Sequence, residues 1–235
     1  MQRVAIVTGA SRGIGRAIAL ELAQQDIEMI LIARNQQELT DLQVEIQKKG
    51  GKADAYALDI AKADEVTKTI ANILDKYSKV DYLINNAGVG SFQEFDAFDE
   101  AELDRIMNVN VKGTFLLTKA LVTHFKAQRK GHFLTIASDV AKRTFPNGSI
   151  YCASKYAQDA MMAALRKEVR SFGIKVSTIY PGLVDTHFNG NQPGASVNQG
   201  WLKPEDIAQS VSYVINAPAH VVVDELMIHP LEQAY

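Results

Sequence analysis

With 235 residues, 47% hydrophobic and 22% charged, the chain has the size and composition of one soluble globular domain over 1–235 with room for a sizeable core. A formal net charge of −2 gives no basis for a nucleic-acid partner, and no apolar run is long enough to span a membrane. The single cysteine, Cys152, excludes an internal disulfide, and the chain opens on a strand pattern without a basic region and apolar run, so the cytoplasm is the expected compartment.

The run Val4-Ala5-Ile6-Val7 reads as a buried parallel strand, too short and too β-branched for a helix. It leads into Thr8-Gly9-Ala10-Ser11-Arg12-Gly13-Ile14-Gly15, whose glycines at 9, 13 and 15 let the backbone turn sharply and admit a ligand where a Cβ would collide. A helix follows at once, with Ile14, Ile18 and Leu22 on one face. Unpaired N–H groups and a positive dipole end at its start make this unit a site for a diphosphate. Taken alone, the same pattern is also a plain strand-to-helix turn.

Downstream, short apolar runs alternate with amphipathic helices. Strands are expected over 28–33, 53–58, 80–84, 132–137, 174–180 and 221–228. Leu39, Leu42 and Ile46 mark a helix that stops at Gly50-Gly51, and Val66, Ile70, Ile73, Leu74 and Tyr77 stripe the next. Helices are expected over 99–108, 111–128, 150–172 and 204–217, the last with Pro204 in its first turn. The segment 183–203 is irregular. Seven strands separated by helices make a doubly wound α/β sheet, Rossmann-like, parallel because each crossover is a helix, with helices on both faces. Ligands in such sheets bind beyond the carboxyl ends of the strands. That rule selects 9–15, 33–34, 59–60, 85–88, Ser138 and 181–186, which are also the polar or glycine-rich segments.

The second signal is Tyr151-Cys152-Ala153-Ser154-Lys155. Residues four apart share a helix face, so an ammonium there can stabilise a phenolate and lower a phenol pKa of ~10. A phenol so tuned donates a proton to a carbonyl oxygen, or takes one from an alcohol, near neutral pH. On its own, a pair of this spacing reads first as a surface contact of no consequence. Ser138, however, ends the fifth strand, and Asn110 falls between two expected helices, where a bend can aim it inward.

Thr8-Gly9-x-x-x-Gly13-Ile14-Gly15, Asn85-Asn86-Ala87-Gly88, Asn110, Ser138, Tyr151-x-x-x-Lys155 and Pro181-Gly182, in this order across 4–186, resemble the single-domain short-chain dehydrogenase/reductase family. The resemblance implies a seven-stranded parallel sheet and an oxidoreductase that interconverts a ketone or aldehyde and its alcohol by hydride transfer. Tyr151 would be the general acid or base, Lys155 would lower its pKa and hold the nicotinamide ribose, and Ser138 would hold the substrate oxygen. Asn110 would hold a water linking Lys155 to solvent. Gly9, Ser11, Arg12, Gly13, Ile14 and Gly15 would form the phosphate turn, with Asp59 at the adenine amino group and Ile60 against the base. Asn86, Ala87 and Gly88 would line the cleft, while Pro181, Gly182, Val184 and Thr186 would border the nicotinamide end. No metal is implied.

The residue ending the second strand is Ala33, where an acid would select NAD, and Arg34 and Arg12 are placed to clamp a 2′-phosphate, so NADP(H) is the expected cofactor. Phe92, Phe95, Phe145, Phe188 and Trp201 fall in the segments that should frame the substrate, pointing to an apolar or aromatic one. Lys142 and Arg143, near the expected cleft mouth, are candidates to attract an anion, and Cys152 reads as a small apolar residue. The segment 187–202 is poor in apolar residues and is expected to be a mobile substrate loop. A homo-oligomer is implied, as a dimer through 111–128 and 150–172 or as a tetramer, although the tail 224–230 lacks the Gly-Gly turn that relatives use in tetramer packing. A rival reading is a dinucleotide-binding redox sensor without turnover.

Overall fold

The computed structural model describes residues 2–233. The strands are β1 (Arg3–Thr8), β2 (Ile27–Ala33), β3 (Ala53–Ala57), β4 (Tyr82–Asn85), β5 (Gly131–Ile136), β6 (Ile174–Pro181) and β7 (Glu225–Ile228). They form one parallel sheet in the order β3-β2-β1-β4-β5-β6-β7. The helices are α1 (Gly13–Ala23), α2 (Gln36–Lys48), α3 (Ala63–Lys76), α4 (Glu100–Met107), α5 (Thr114–Gln128), α6 (Ser149–Val169) and α7 (Pro204–Ile215).

Both faces of the sheet are covered, which is why the central strands carry apolar residues without alternation. On β1, Ala5 and Val7 enter a layer with Ile18 and Leu22 of α1, Leu39 of α2 and Ile207 and Val211 of α7. Val4 and Ile6 enter the opposite layer with Val66 of α3, Leu117 and Phe125 of α5 and Met162 of α6. The chain winds outward from β1 through β2 to β3, then returns to the other side of β1 as β4. The crevice at that reversal opens at the carboxyl ends of β1 and β4, where ligands of such sheets bind.

Two strand boundaries differ from expectation for local reasons. β4 starts at Tyr82, not at 80, because the Asp81 carboxylate takes the Val4 N–H at 3.0 Å. The seventh strand is only Glu225–Ile228, not 221–228. At its start the Arg166 guanidinium donates to the carbonyls of Val176 (3.0 Å) and Asp224 (2.8 Å), the latter also accepting the Thr178 N–H of β6 (3.0 Å). The expected pair of helices between 99 and 128 is one rod, α4 and α5 joined by a π-helical turn at Asn108–Gly113. Among the described residues no helix is long and apolar enough to cross a membrane.

Candidate active site

The site begins with the turn after β1. Gly9 has φ +63°, and a Cβ there would stand 3.0 Å from the Ala87 Cα, so the position excludes a side chain on both counts. Arg12 precedes α1 in an extended conformation and offers no side-chain cap, which leaves the first N–H groups of the helix for a ligand. Thr8 fixes the turn to the end of β4: its hydroxyl accepts from Asn86 N (2.9 Å) and Ala87 N (3.0 Å), and Asn86 Nδ2 donates to Thr8 O (2.8 Å).

A cleft of about 450 Å³ runs from this turn along the carboxyl ends of the strands. Gly9, Ser11, Arg12, Gly13 and Ile14 form its floor at one end, with Arg34 beyond β2 and Asp59 and Ile60 beyond β3. Asn86, Ala87 and Gly88 line its middle, and Ser138, Tyr151, Lys155, Pro181, Gly182, Val184 and Thr186 close the other end. Shape and donors together fit a dinucleotide: a glycine cradle at an uncapped helix start, then two exposed guanidiniums, Arg12 and Arg34, neither tied into an ion pair among the described residues.

Two residues expected at the ligand do not line the cleft. A Cβ on Gly15 would collide with the Gly9 carbonyl and the Asn86 amide, so this glycine lets α1 pack beneath the turn. Asn110 is fully buried. Its Oδ1 accepts from Val89 N (2.8 Å), and its Nδ2 donates to Val89 O (2.8 Å) and to Ser154 Oγ (2.9 Å). The amide thus pins the π-turn to the segment after β4 and to α6. A Cβ on Gly88 would lie 3.4 Å from Asn110 Oδ1 and 3.6 Å from Lys155 Nζ, so the two side chains flank Gly88.

Tyr151 and Lys155 are both buried on α6 and face the same end of the cleft. Lys155 Nζ donates to the Ile136 carbonyl at 3.3 Å and stands 5.8 Å from the centre of the Tyr151 ring. Burial pushes the ammonium down to about 7. Burial also pushes the Tyr151 phenol above its ordinary range, with the Ser138 hydrogen bond opposing and the Asp139 carboxylate reinforcing the rise. The Lys155 ammonium sits over the ring and is bonded to the Ile136 carbonyl, and burial is the largest influence on the phenol. Asp139, directly after Ser138, accepts from the Ser138 hydroxyl at 3.1 Å.

The substrate end is aromatic. Phe92 meets Phe145 edge-on at 5.2 Å and Tyr151 at 5.6 Å, and Phe188 lies 5.4 Å from Tyr151. Phe95 is 76% exposed, and neither it nor Trp201 joins this cluster. Lys142 and Arg143 do not line the cleft. Lys142 pairs with Asp159 (2.8 Å) and Arg143 Nε with Asp139 (2.9 Å), so neither is a free anion attractor. Cys152 is buried, and burial raises its thiol. Sequence reasoning missed Glu38, which lines the cleft near Arg34, although its place one turn into a helix that starts at the ligand edge was a usable signal.

The segment after β6 has an internal frame. Val184 pairs with Leu202, and the buried Asp185 carboxylate accepts from Asn198 Nδ2 (2.8 Å), Lys203 Nζ (2.9 Å) and Gly194 N (3.0 Å). Lys203 and Asn198 hold that carboxyl below the usual range.

A model of the short chain dehydrogenase family matches residues 3–195. Sepiapterin reductase of Chlorobaculum tepidum is 34% identical, over 98% of this chain and 97% of its own length. An alcohol dehydrogenase of the archaeon Thermococcus sibiricus, solved with 5-hydroxy-NADP, is 33% identical with a TM-score of 0.95, covering 100% of this chain and 99% of its own. A metagenomic short-chain oxidoreductase solved with NADP is 32% identical with a TM-score of 0.87, covering 97% of each chain.

Proposed function

Because this chain belongs to the short chain dehydrogenase family, we propose that it reduces a ketone or aldehyde with NADPH, or oxidises the matching alcohol with NADP, with Tyr151 as the general acid or base. The observation that carries the reading is the convergence of Tyr151, Lys155 and Ser138 at one end of a cleft whose other end is a glycine turn flanked by Arg12 and Arg34. The NADP forms bound by the Thermococcus sibiricus and metagenomic structures support the cofactor.

A nicotinamide dinucleotide supplies the hydride, and the protein supplies position and proton. Gly9, Gly13 and the start of α1 take the diphosphate, Arg12 and Arg34 the 2′-phosphate, and Asp59 and Ile60 the adenine. Lys155 holds the nicotinamide ribose. The substrate oxygen lies against Tyr151 and Ser138, whose hydroxyls donate to it as negative charge develops there. Burial keeps the phenol protonated, which is the form reduction requires. When the phenol gives up its proton, the phenolate stabilises the neighbouring ammonium, and the pair titrates as a unit. Asn110 fixes the π-turn and α6 around Lys155.

Phe92, Phe145 and Phe188 select an apolar or aromatic carbonyl compound. The same reading takes the protein as a cytoplasmic homo-oligomer through α5 and α6, which expose Phe115 and Tyr156. A redox sensor without turnover is the rival from another class, but burying a lysine beside a tyrosine costs stability that a sensor has no need to spend. Consumption of NADPH, followed by its absorbance over a panel of aryl and alkyl ketones and aldehydes, tests the proposal. Turnover of an aryl ketone is expected; NADPH binding with no turnover across the panel would favour the sensor.

A further inference from the structure

The carboxylate of Asp139 is 4% exposed and more heavily engaged than any other acid near the cleft. One oxygen, Oδ1, accepts the Ser138 hydroxyl at 3.1 Å. The other, Oδ2, accepts from Arg143 Nε (2.9 Å) and from Gln233 Nε2 (2.8 Å), and His229 Nε2 stands 3.4 Å away. Gln233 and His229 come from the segment after β7, far from Ser138 in sequence. The Gln233 amide has a second bond: its Oε1 accepts the Leu183 N–H at 2.8 Å. Leu183 opens the segment that carries Val184, Thr186 and Phe188 to the cleft. Gly182 has no Cβ to obstruct this docking, since one would collide with the Gln233 amide and the His229 ring.

A hydroxyl carries a single proton. While Ser138 donates to Asp139 it cannot donate to a substrate oxygen. A buried carboxylate with no other donors would hold that proton tightly, because an unsatisfied buried charge is costly. Donors on Oδ2 meet most of that demand and loosen the grip of Oδ1. We propose that Gln233 and Asp139 are positioning residues for Ser138: Gln233 satisfies the carboxylate so that the Ser138 hydroxyl can turn to the substrate, and ties that adjustment to the start of the substrate segment through Leu183.

The proposal rests on the reductase reading, and a readout that needs no turnover keeps the two apart. The variants are Gln233→Leu, Gln233→Glu and, as a control on the exposed neighbour, Leu231→Ser. They are assayed with NADPH and the best ketone of the panel, NADPH affinity being read from nicotinamide fluorescence. Gln233→Leu should lower kcat by about tenfold, the scale of one lost hydrogen bond to a charged group, with NADPH affinity within about twofold. Leu231→Ser should leave both unchanged. Gln233→Glu should be poorer still at about pH 8, where a second carboxylate abuts Asp139, and should recover relative to Gln233→Leu toward about pH 5.5, where the introduced carboxyl takes up a proton and donates again. A merely structural role would give no such recovery. In Gln233→Leu, amide hydrogen exchange should accelerate at 138–143 and 183–186 and not in β1 or α1. If the unmodified protein turns over no carbonyl, the reductase reading falls, and the exchange result alone decides whether the bridge exists. Unchanged exchange, a kcat within about twofold, a loss of kcat matched by a loss of NADPH binding, or parallel pH profiles for the two Gln233 variants would each overturn the proposal.

Discussion

Lys155 Nζ stands 5.8 Å from the centre of the Tyr151 ring, and burial drives the two groups in opposite directions along the pH scale. The phenol is held protonated, while the ammonium is brought to about 7. Both shifts disfavour the charged form, as expected where neither group faces water.

Charge on Lys155 is present below its lowered pKa and is lost as pH rises through about 7. If that charge aids proton donation by Tyr151, kcat/KM for carbonyl reduction should fall as pH rises through this range, since that ratio reports groups of the free enzyme. Lys155→Arg, which stays charged, should be slower but should lose this limb of the profile. Lys155→Ala should lose both rate and NADPH affinity, because the ammonium also holds the ribose. A profile unchanged by Lys155→Arg would assign the limb to another group.

Cofactor choice should follow the cleft end formed by Arg12, Arg34 and Glu38. Arg34→Ala removes one charged contact to a 2′-phosphate, worth about 1.5–3 kcal/mol, or roughly ten- to hundred-fold for NADPH, with NADH little changed. Glu38→Gln removes a carboxylate from the same end and should strengthen NADPH alone. Steady-state kinetics with both cofactors checks this; equal efficiency with each in the unmodified protein would refute the preference.

The doubly wound sheet was legible because each strand is a short apolar run and each helix a stripe, and these periods survive without tertiary information. The cleft was legible for the same reason, since strand ends in such a sheet converge whatever the side chains. The departures came from contacts between distant segments. Arg166 of α6 braces the start of β7 through the Asp224 carbonyl, and Gly15 proved to be a packing position because Gly9 and Asn86 crowd it. Nothing in the sequence marked Asp139 as an anchor, since its partners Gln233 and His229 lie at the other end of the chain. Electrostatics was the least legible: the spacing of Tyr151 and Lys155 was plain, but the burial that sets their protonation was not.

The segment 187–202, read from sequence as a mobile loop, has a polar hub in Asp185 and a paired neck at Val184 and Leu202. It should therefore open and close as one body about that neck, and not by folding anew on the ligand. Hydrogen exchange over 187–200 should be fast in the free protein and slow in a complex with NADP and substrate alcohol. Gly194, whose N–H is held by Asp185, should be the slowest of these amides in both. Equal strong protection across the loop in both states would contradict the motion, and Asp185→Asn should raise exchange throughout the loop.

His132 of β5, buried against Ser177 of β6 at 2.7 Å, is pushed down to about 3, chiefly by burial, with the Lys175 charge adding to it. An unfolded histidine titrates near 6.5, so between these values the unfolded chain binds the extra proton. The stabilising effect of a neutral His132 is full above about pH 6.5 and is lost as pH falls toward 3. Unfolding by denaturant at pH 7, 5 and 4 should show this loss, up to a few kcal/mol, and His132→Asn should flatten it while lowering stability at pH 7. An unchanged slope in the variant would place the acid sensitivity elsewhere.

Replacing Tyr151 by Phe keeps the ring that packs against Phe92 and Phe188 and removes only the hydroxyl. Under single-turnover conditions, with the protein saturated in NADPH and a ketone that the unmodified protein reduces, Tyr151→Phe should slow NADPH oxidation by at least about a hundredfold, the scale of a lost general acid. Its affinity for NADPH should stay within about threefold, since no cofactor contact beyond one hydrogen bond is lost. Near-normal oxidation of NADPH by Tyr151→Phe would contradict the assignment of Tyr151 as the proton donor.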